Sequence, residues 1–165
     1  MDAALQKILL KKAGDLLSHR AYSRGELGSK LGKVAEECQV EAALDRLEEL
    51  NLLNDAEYAY NFALYRIKRE GWGPDKVRYS LTRRQIANKT IQTVLEKIRS
   101  ELGEEFALVE YLQKYCRKQG LPNDPKGVRK LVAHLRRRGF DEDIIFRALE
   151  RVIPATVMQS FEPGE

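Results

Sequence analysis

Apolar residues return every three or four positions along most of the chain, the period of helices that each bury one face. The sharpest instance is Val40, Ala43, Leu44 and Leu47. The same spacing recurs as Ile91, Val94, Leu95 and Ile98, and again as Ile145, Ala148, Leu149 and Val152, at offsets of 51 and 54 residues. A shorter stretch repeats ahead of each: Leu27 and Leu31, then Val77 and Leu81, then Leu131 and Leu135, at offsets of 50 and 54. Self-similarity at such a period marks a tandem array in which each unit is one supersecondary element. No sustained alternation of apolar and polar residues competes with it, so no strand is expected.

A third, longer helix opens each unit. Its apolar positions read Leu5, Ile8, Leu9, Leu16 and Leu17 in the first unit. They read Tyr58, Phe62, Tyr65 and Ile67 in the second, and Phe106, Val109, Leu112 and Tyr115 in the third. Ser23, Gly73-Pro74 and Asn123-Asp124-Pro125 then start the second helices, since Ser, Asp and Asn cap orphan N–H groups and Pro pre-sets φ. Leu44, Leu47 and Leu50 share a helical face, and Asp55 is an N-cap candidate for the helix that follows. Tyr22 and Trp72 align at an offset of 50 and are each large enough to plug the junction between first and second helices. After the second helix comes a turn ending in an apolar residue, Gln85-Ile86 or Gly139-Phe140; Val34-Ala35-Glu36 gives no such match. The expected fold is all-α, with three-helix modules at 1–53, 54–102 and 103–153 and a tail at 154–165. Together they would form an elongated helical-repeat body in which neighbouring modules share interfaces.

Composition agrees with helix and adds an electrical asymmetry. Of 165 residues 43% are hydrophobic and 33% charged, and the five Pro and eleven Gly cluster at turns. No apolar run is long enough to span a membrane. Lys11-Lys12 interrupts the first apolar run, and no secretory leader is expected. Cys38 and Cys116 make neither a disulfide framework nor a zinc site. They read as buried or bystander thiols in a reducing compartment. The net charge is +4 and uneven: 8 basic against 9 acidic residues up to Leu53, 10 against 6 from Asn54 to Leu102, and 11 against 8 from Gly103 to Ile153. The positive field belongs to the last two thirds, and its expected partner is anionic.

Three stretches carry a family resemblance. They are Tyr22-Ser23-Arg24-Gly25-Glu26-Leu27, the run from Leu44 to Asp55 with Tyr58-Ala59 after it, and Gly71-Trp72-Gly73-Pro74 before a basic helix. Arg136-Arg137-Arg138-Gly139-Phe140-Asp141 adds a fourth. In this order and spacing the chain resembles the RecX family, bacterial regulators of the RecA recombinase, over roughly residues 4 to 153. The first module departs from the pattern in lacking the Gly-aromatic turn, with Gly32 and Val34 instead, and the tail after Pro154 has no counterpart. The resemblance implies three tandem three-helix modules in a curved body. It also implies a non-enzymatic protein that lodges in the groove of a RecA filament on single-stranded DNA and limits strand exchange, ATP turnover and co-protease activity in recombination, repair and the SOS response. The protein would act as a cytoplasmic monomer without cofactor.

Two cationic faces are the candidate contact surfaces. With Val128, Leu131, Val132 and Leu135 facing inward, Lys126, Lys130 and Arg137 point outward, Arg129 and Arg136 flank them, and Arg138 lies near the helix end. Such a strip either grips phosphate or an acidic groove or is an ordinary solvated face. In the second module Lys76, Arg78 and Arg83 surround Tyr79, which either stacks on a base or interface or covers a neighbouring module. Arg66, Lys68 and Arg69 extend that positive surface. Asp141-Glu142-Asp143 reads as a helix start rather than a metal cluster. His19 and His134 each lack a second ligand at metal-binding spacing. No nucleotide-binding loop or nucleophile motif is present. Two other readings stay open. One is a direct DNA-binding protein using the modules as helix-turn-helix units, against which the acidic Glu41, Asp45 and Glu150 of the third helices count. The other is an adaptor for another acidic protein.

Overall fold

The structure, a computed structural model, describes residues 3–159. Among these residues it is entirely helical, as the periodicity predicts. The first three helices are α1 (Ala3–His19), α2 (Arg24–Leu31) and α3 (Glu37–Glu49). Then come α4 (Asp55–Glu70), α5 (Pro74–Thr82) and α6 (Asn88–Leu102), and after them α7 (Glu104–Gln119), α8 (Pro125–Arg137) and α9 (Glu142–Val152). A short α10 (Ala155–Gln159) follows, within the stretch expected as a tail. Its Val157 and Met158 pack on the core beneath α7, α8 and α9. Residues 160–165 of the expected tail lie outside the described residues.

The chain divides into two compact units. One runs to Phe62 and adds Ser80–Val94; the other comprises Ala63–Tyr79 and the described chain from Leu95 onward. In the first unit α1 and α2 pack on α3 and on each other. The core there is Leu9, Ala13, Tyr22, Leu27, Leu31, Val40, Ala43, Leu44, Leu47 and Leu53. In the second unit α7 lies along α9, with α8 against α9 and α10 against α8. Its core includes Leu108, Leu112, Leu131, Leu135, Ile145 and Leu149.

The repeated positions of the second and third helices are buried, with Val152 half-buried. The first helices differ from the sequence reading. α4 buries Ala59 and Ala63 while Tyr65 is 58% exposed, and α7 buries Leu108, Leu112 and Cys116 while Phe106 is 61% exposed. Two alanines one turn apart let a helix approach closely, which large rings on the same face would prevent. Ile8 is exposed on α1. Leu50 is exposed too, because α3 ends at Glu49 and Leu50 leaves the shared face at its C-cap.

The capping chemistry also shifts by one residue. Asn54, not Asp55, caps α4: its side chain accepts from the Glu57 N–H at 3.0 Å. The Asp55 carboxylate instead accepts from the Arg24 N–H at 2.7 Å, satisfying a first-turn donor of α2. Ser23 closes a capping box with Glu26, and Asp124 and Asp141 cap α8 and α9 as their positions suggest.

Candidate interaction surfaces

Two equivalent turns hold adjacent modules together, one in each unit. After α8 the chain turns at Gly139, with φ of +84°, and the Phe140 N–H reaches back to the Leu135 carbonyl. That closes a Schellman-type end. The turn presents its carbonyls to the start of α5. The Gly73 N–H donates to the Arg138 carbonyl at 2.7 Å and the Asp75 N–H to the Gly139 carbonyl at 3.2 Å. Orphan donors of one helix thus satisfy orphan acceptors of another. After α5 the same turn is made by Gln85 at φ of +59°. There the Arg84 carbonyl accepts from the Ser23 hydroxyl at the start of α2, and the Gln85 side chain reaches the Ser29 hydroxyl.

This joint decides what the arginine run on α8 does. Arg138 stands at the C-cap, and its side chain turns inward. The guanidinium donates to the Glu70 carbonyl at the end of α4 and lies 5.0 Å from the Tyr111 ring centre. Arg136 pairs with the Glu142 carboxylate. Lys126, Arg129, Lys130 and Arg137 are exposed, on the face opposite Val128, Leu131, Val132 and Leu135. Of the six cations read as one strip, the structure leaves five on the surface and turns Arg138 into the joint.

The second cationic group is divided. Lys76, Arg78 and Tyr79 belong to one unit and Arg83 to the other. Tyr79 is 65% exposed and Arg78 and Arg83 are exposed. Lys76 is half-buried, its ammonium 4.5 Å from the Trp72 ring centre. Trp72 is itself only half-buried, with the Arg66 guanidinium 4.8 Å from its ring centre. It is therefore no interior plug, whereas Tyr22 is buried under the Arg20 guanidinium at 3.6 Å.

The sequence reading missed Arg24. At the first position of α2, its guanidinium meets Glu41 at 2.5 Å, Asp45 at 2.7 Å and Glu48 at 2.7 Å. The signal was available, since 41, 45 and 48 fall on one helical face. Their carboxylates are directed to an internal cation, and the face of α3 around them remains acidic.

His134 sits among Tyr111, Tyr115 and three cations. Its Nε2 is 2.9 Å from the Tyr111 hydroxyl, and its ring stacks on Tyr115 with centres 4.9 Å apart. Burial, with Arg138, Arg137 and Lys76 nearby, holds its pKa below the ordinary 6.5. The folded state therefore takes up the imidazole proton less readily than the unfolded chain. Stability is full above about pH 6.5 and falls as the pH drops toward the lowered value. Urea melts at pH 7.5 and 5.5 check this: the loss on acidification is expected to be smaller in His134→Gln than in the native protein.

Among the described residues no group of three or more His, Cys, Asp and Glu is placed to hold a metal ion. No described helix is long and apolar enough to cross a membrane.

Comparison with known proteins places this architecture. Models for the second and third three-helix domains of RecX match residues 54–95 and 104–149. The regulatory protein RecX of Pseudomonas putida is 34% identical over 140 residues, spanning 84% of this chain and 87% of that protein. That of Ectopseudomonas mendocina is 35% identical over 140 residues, spanning 84% and 91%. The crystal structure of RecX from Lactobacillus salivarius shares the fold with a TM-score of 0.77 at 20% identity, covering 89% of this chain and 96% of that one. Repeated three-helix modules, two matching domain models and relatives similar over most of their length lead to one assignment: the chain belongs to the RecX family.

Proposed function

We propose that this protein regulates a RecA-type recombinase by docking on the filament that the recombinase forms on single-stranded DNA. Docking lowers strand exchange, ATP turnover and co-protease activity. The observation that carries the reading is the exposed cationic face of α8, within a stretch that matches the third RecX domain. Lys126, Arg129, Lys130 and Arg137 point away from the core and suit an acidic groove or a phosphate backbone. The protein supplies no chemistry of its own. It occupies a surface that substrate DNA or neighbouring protomers need, working as a monomer in the bacterial cytoplasm. A helix-turn-helix mode of DNA binding fits less well. The carboxylates of Glu41, Asp45 and Glu48 line α3, and Glu142, Asp143 and Glu150 are exposed on α9, so phosphates would be repelled from the third helices of the first and third modules.

A DNA-dependent ATPase assay of a RecA-type recombinase, with this protein titrated in, tests the reading. Inhibition is expected below one protein per recombinase protomer. A Lys126→Glu, Lys130→Glu, Arg137→Glu triple variant is expected to need at least tenfold more protein, because each contact is largely electrostatic. Inhibition should also weaken as salt rises. Unchanged ATP turnover with the folded native protein rejects the filament reading.

A further inference from the structure

We infer that the surface formed by the end of α4 and the start of α5 binds single-stranded nucleic acid directly, stacking unpaired bases on Tyr65 and Tyr79 and holding phosphates with the cations between them. The inference does not rest on recombinase binding. It rests on an alternation of rings and cations along one stretch of the second unit. Tyr65 is followed by the Arg66 guanidinium, 5.9 Å from the Tyr65 ring centre and 4.8 Å from that of Trp72. On the other side of Trp72 the Lys76 ammonium is 4.5 Å away. Tyr79 lies three residues beyond Lys76 on α5, so the two are neighbours on the helix surface. The order is Tyr65, Arg66, Trp72, Lys76, Tyr79.

The exposures give the row its direction. Its two ends are 58% and 65% exposed tyrosines, while Trp72 and the two cations beside it are half-buried. Large exposed rings are costly to leave in water, and a row of them marks a contact surface rather than a core. Lys68, Arg69 and Arg78 are exposed alongside. Glu70, paired with Arg66, and Asp75 are the acids in Ala63–Tyr79, against five cations. Aromatic faces interleaved with positive charge match a chain that alternates bases and phosphates. Stacking tolerates any base, because every base has a π-face. Duplex DNA buries those faces, so the surface favours single strands.

Trp72 is the only tryptophan in the chain and reports on this surface. The experiment titrates the full-length protein, without recombinase, with a fluorescein-labelled thymidine oligomer, reading anisotropy together with Trp72 emission. An abasic oligomer of equal length and poly-glutamate serve as competitors. The expected result is saturable binding with quenched Trp72 emission, and competition by the abasic oligomer at least tenfold weaker than by the thymidine oligomer. Tyr79→Ser is expected to weaken binding roughly tenfold and Tyr65→Ser several-fold. Tyr79→Phe should retain the native affinity, and all three variants should keep native melting. Lys76→Gln is expected to flatten the dependence on salt. Equal competition by the abasic oligomer would mean that only phosphate is recognised and would overturn the stacking. Equal competition by poly-glutamate would assign the surface to an acidic protein. Loss of binding in the serine variants only where melting also collapses would show the tyrosines to be structural.

Discussion

Gly139→Ala is expected to destabilise the protein by on the order of 3–5 kcal/mol, among the largest effects of any one-carbon addition to this chain. Two costs add. An alanine at φ of +84° sits in the left-handed region, which an L side chain enters at about 1–2 kcal/mol. Its Cβ would also stand 2.4 Å from the Lys76 backbone nitrogen, and backbone cannot rotate aside as a side chain can. Relieving that approach pulls the turn away from α5. The bonds from Gly73 and Asp75 to the Arg138 and Gly139 carbonyls are lost with it, leaving buried polar groups unmatched. Gly120→Ala separates the two costs. Gly120 has φ of +88° and ψ of 155°, a region open essentially to glycine alone, with nothing within 4 Å of an added Cβ, so it should lose only a dihedral part, about 1–3 kcal/mol. Urea denaturation of both variants, compared by midpoint and slope, checks the difference. Equal losses would mean that the joint yields more readily than its geometry implies.

Arg138→Ala is expected to cost roughly 2–3 kcal/mol, whereas Arg137→Ala, one residue earlier, should stay within about 0.5 kcal/mol. The Arg138 guanidinium caps the last carbonyl of α4 and covers the Tyr111 ring. A charge-assisted bond at a helix C-terminus and a half-buried cation–π contact each exceed an ordinary surface interaction. Arg137 is exposed. Lysine at 138 should restore only part of the loss, because an ammonium lacks the flat face that lies on a ring. Thermal or chemical melts of the three variants give the answer. The same melts protect functional work from a false positive, since a variant reversing all three arginines would lose activity by unfolding the joint and mimic a lost partner contact.

That contrast shows what could be read in advance. The array of three-helix modules was legible because its third helices repeat the same four apolar positions three times, and a repeated stripe of Leu, Ile and Val is hard to misread. The first helices were not. Ala59 and Ala63 carry the close packing of α4, but alanine weighs little in any apolar pattern, and the eye goes to Tyr65 and Phe106, which face outward. Arg136, Arg137 and Arg138 are chemically identical in the sequence. Only the helix ending at Arg137 sends the next side chain back into the joint. Trp72 looked like a plug by size alone, and two cations at its faces make it part of a surface instead. Asp55 looked like a cap and is one, but for α2 rather than for its own helix.

The joint between modules also bears on how a further copy could be added. By the offset of the second helices, the position of Ser23 and Gly73 in the third module is Gly127. Its N–H is taken at 2.6 Å by the Asp124 carboxylate of its own module, and a side chain there would crowd Asp124 and Pro122. The N–H that Gly73 uses is therefore already taken here, and Gly127 has no hydroxyl to stand in for it as Ser23 does. A duplication of the gene segment for one module could not be appended here by repeating the existing joint. Repeating this joint at the start of α8 would first require unmaking the Asp124 cap.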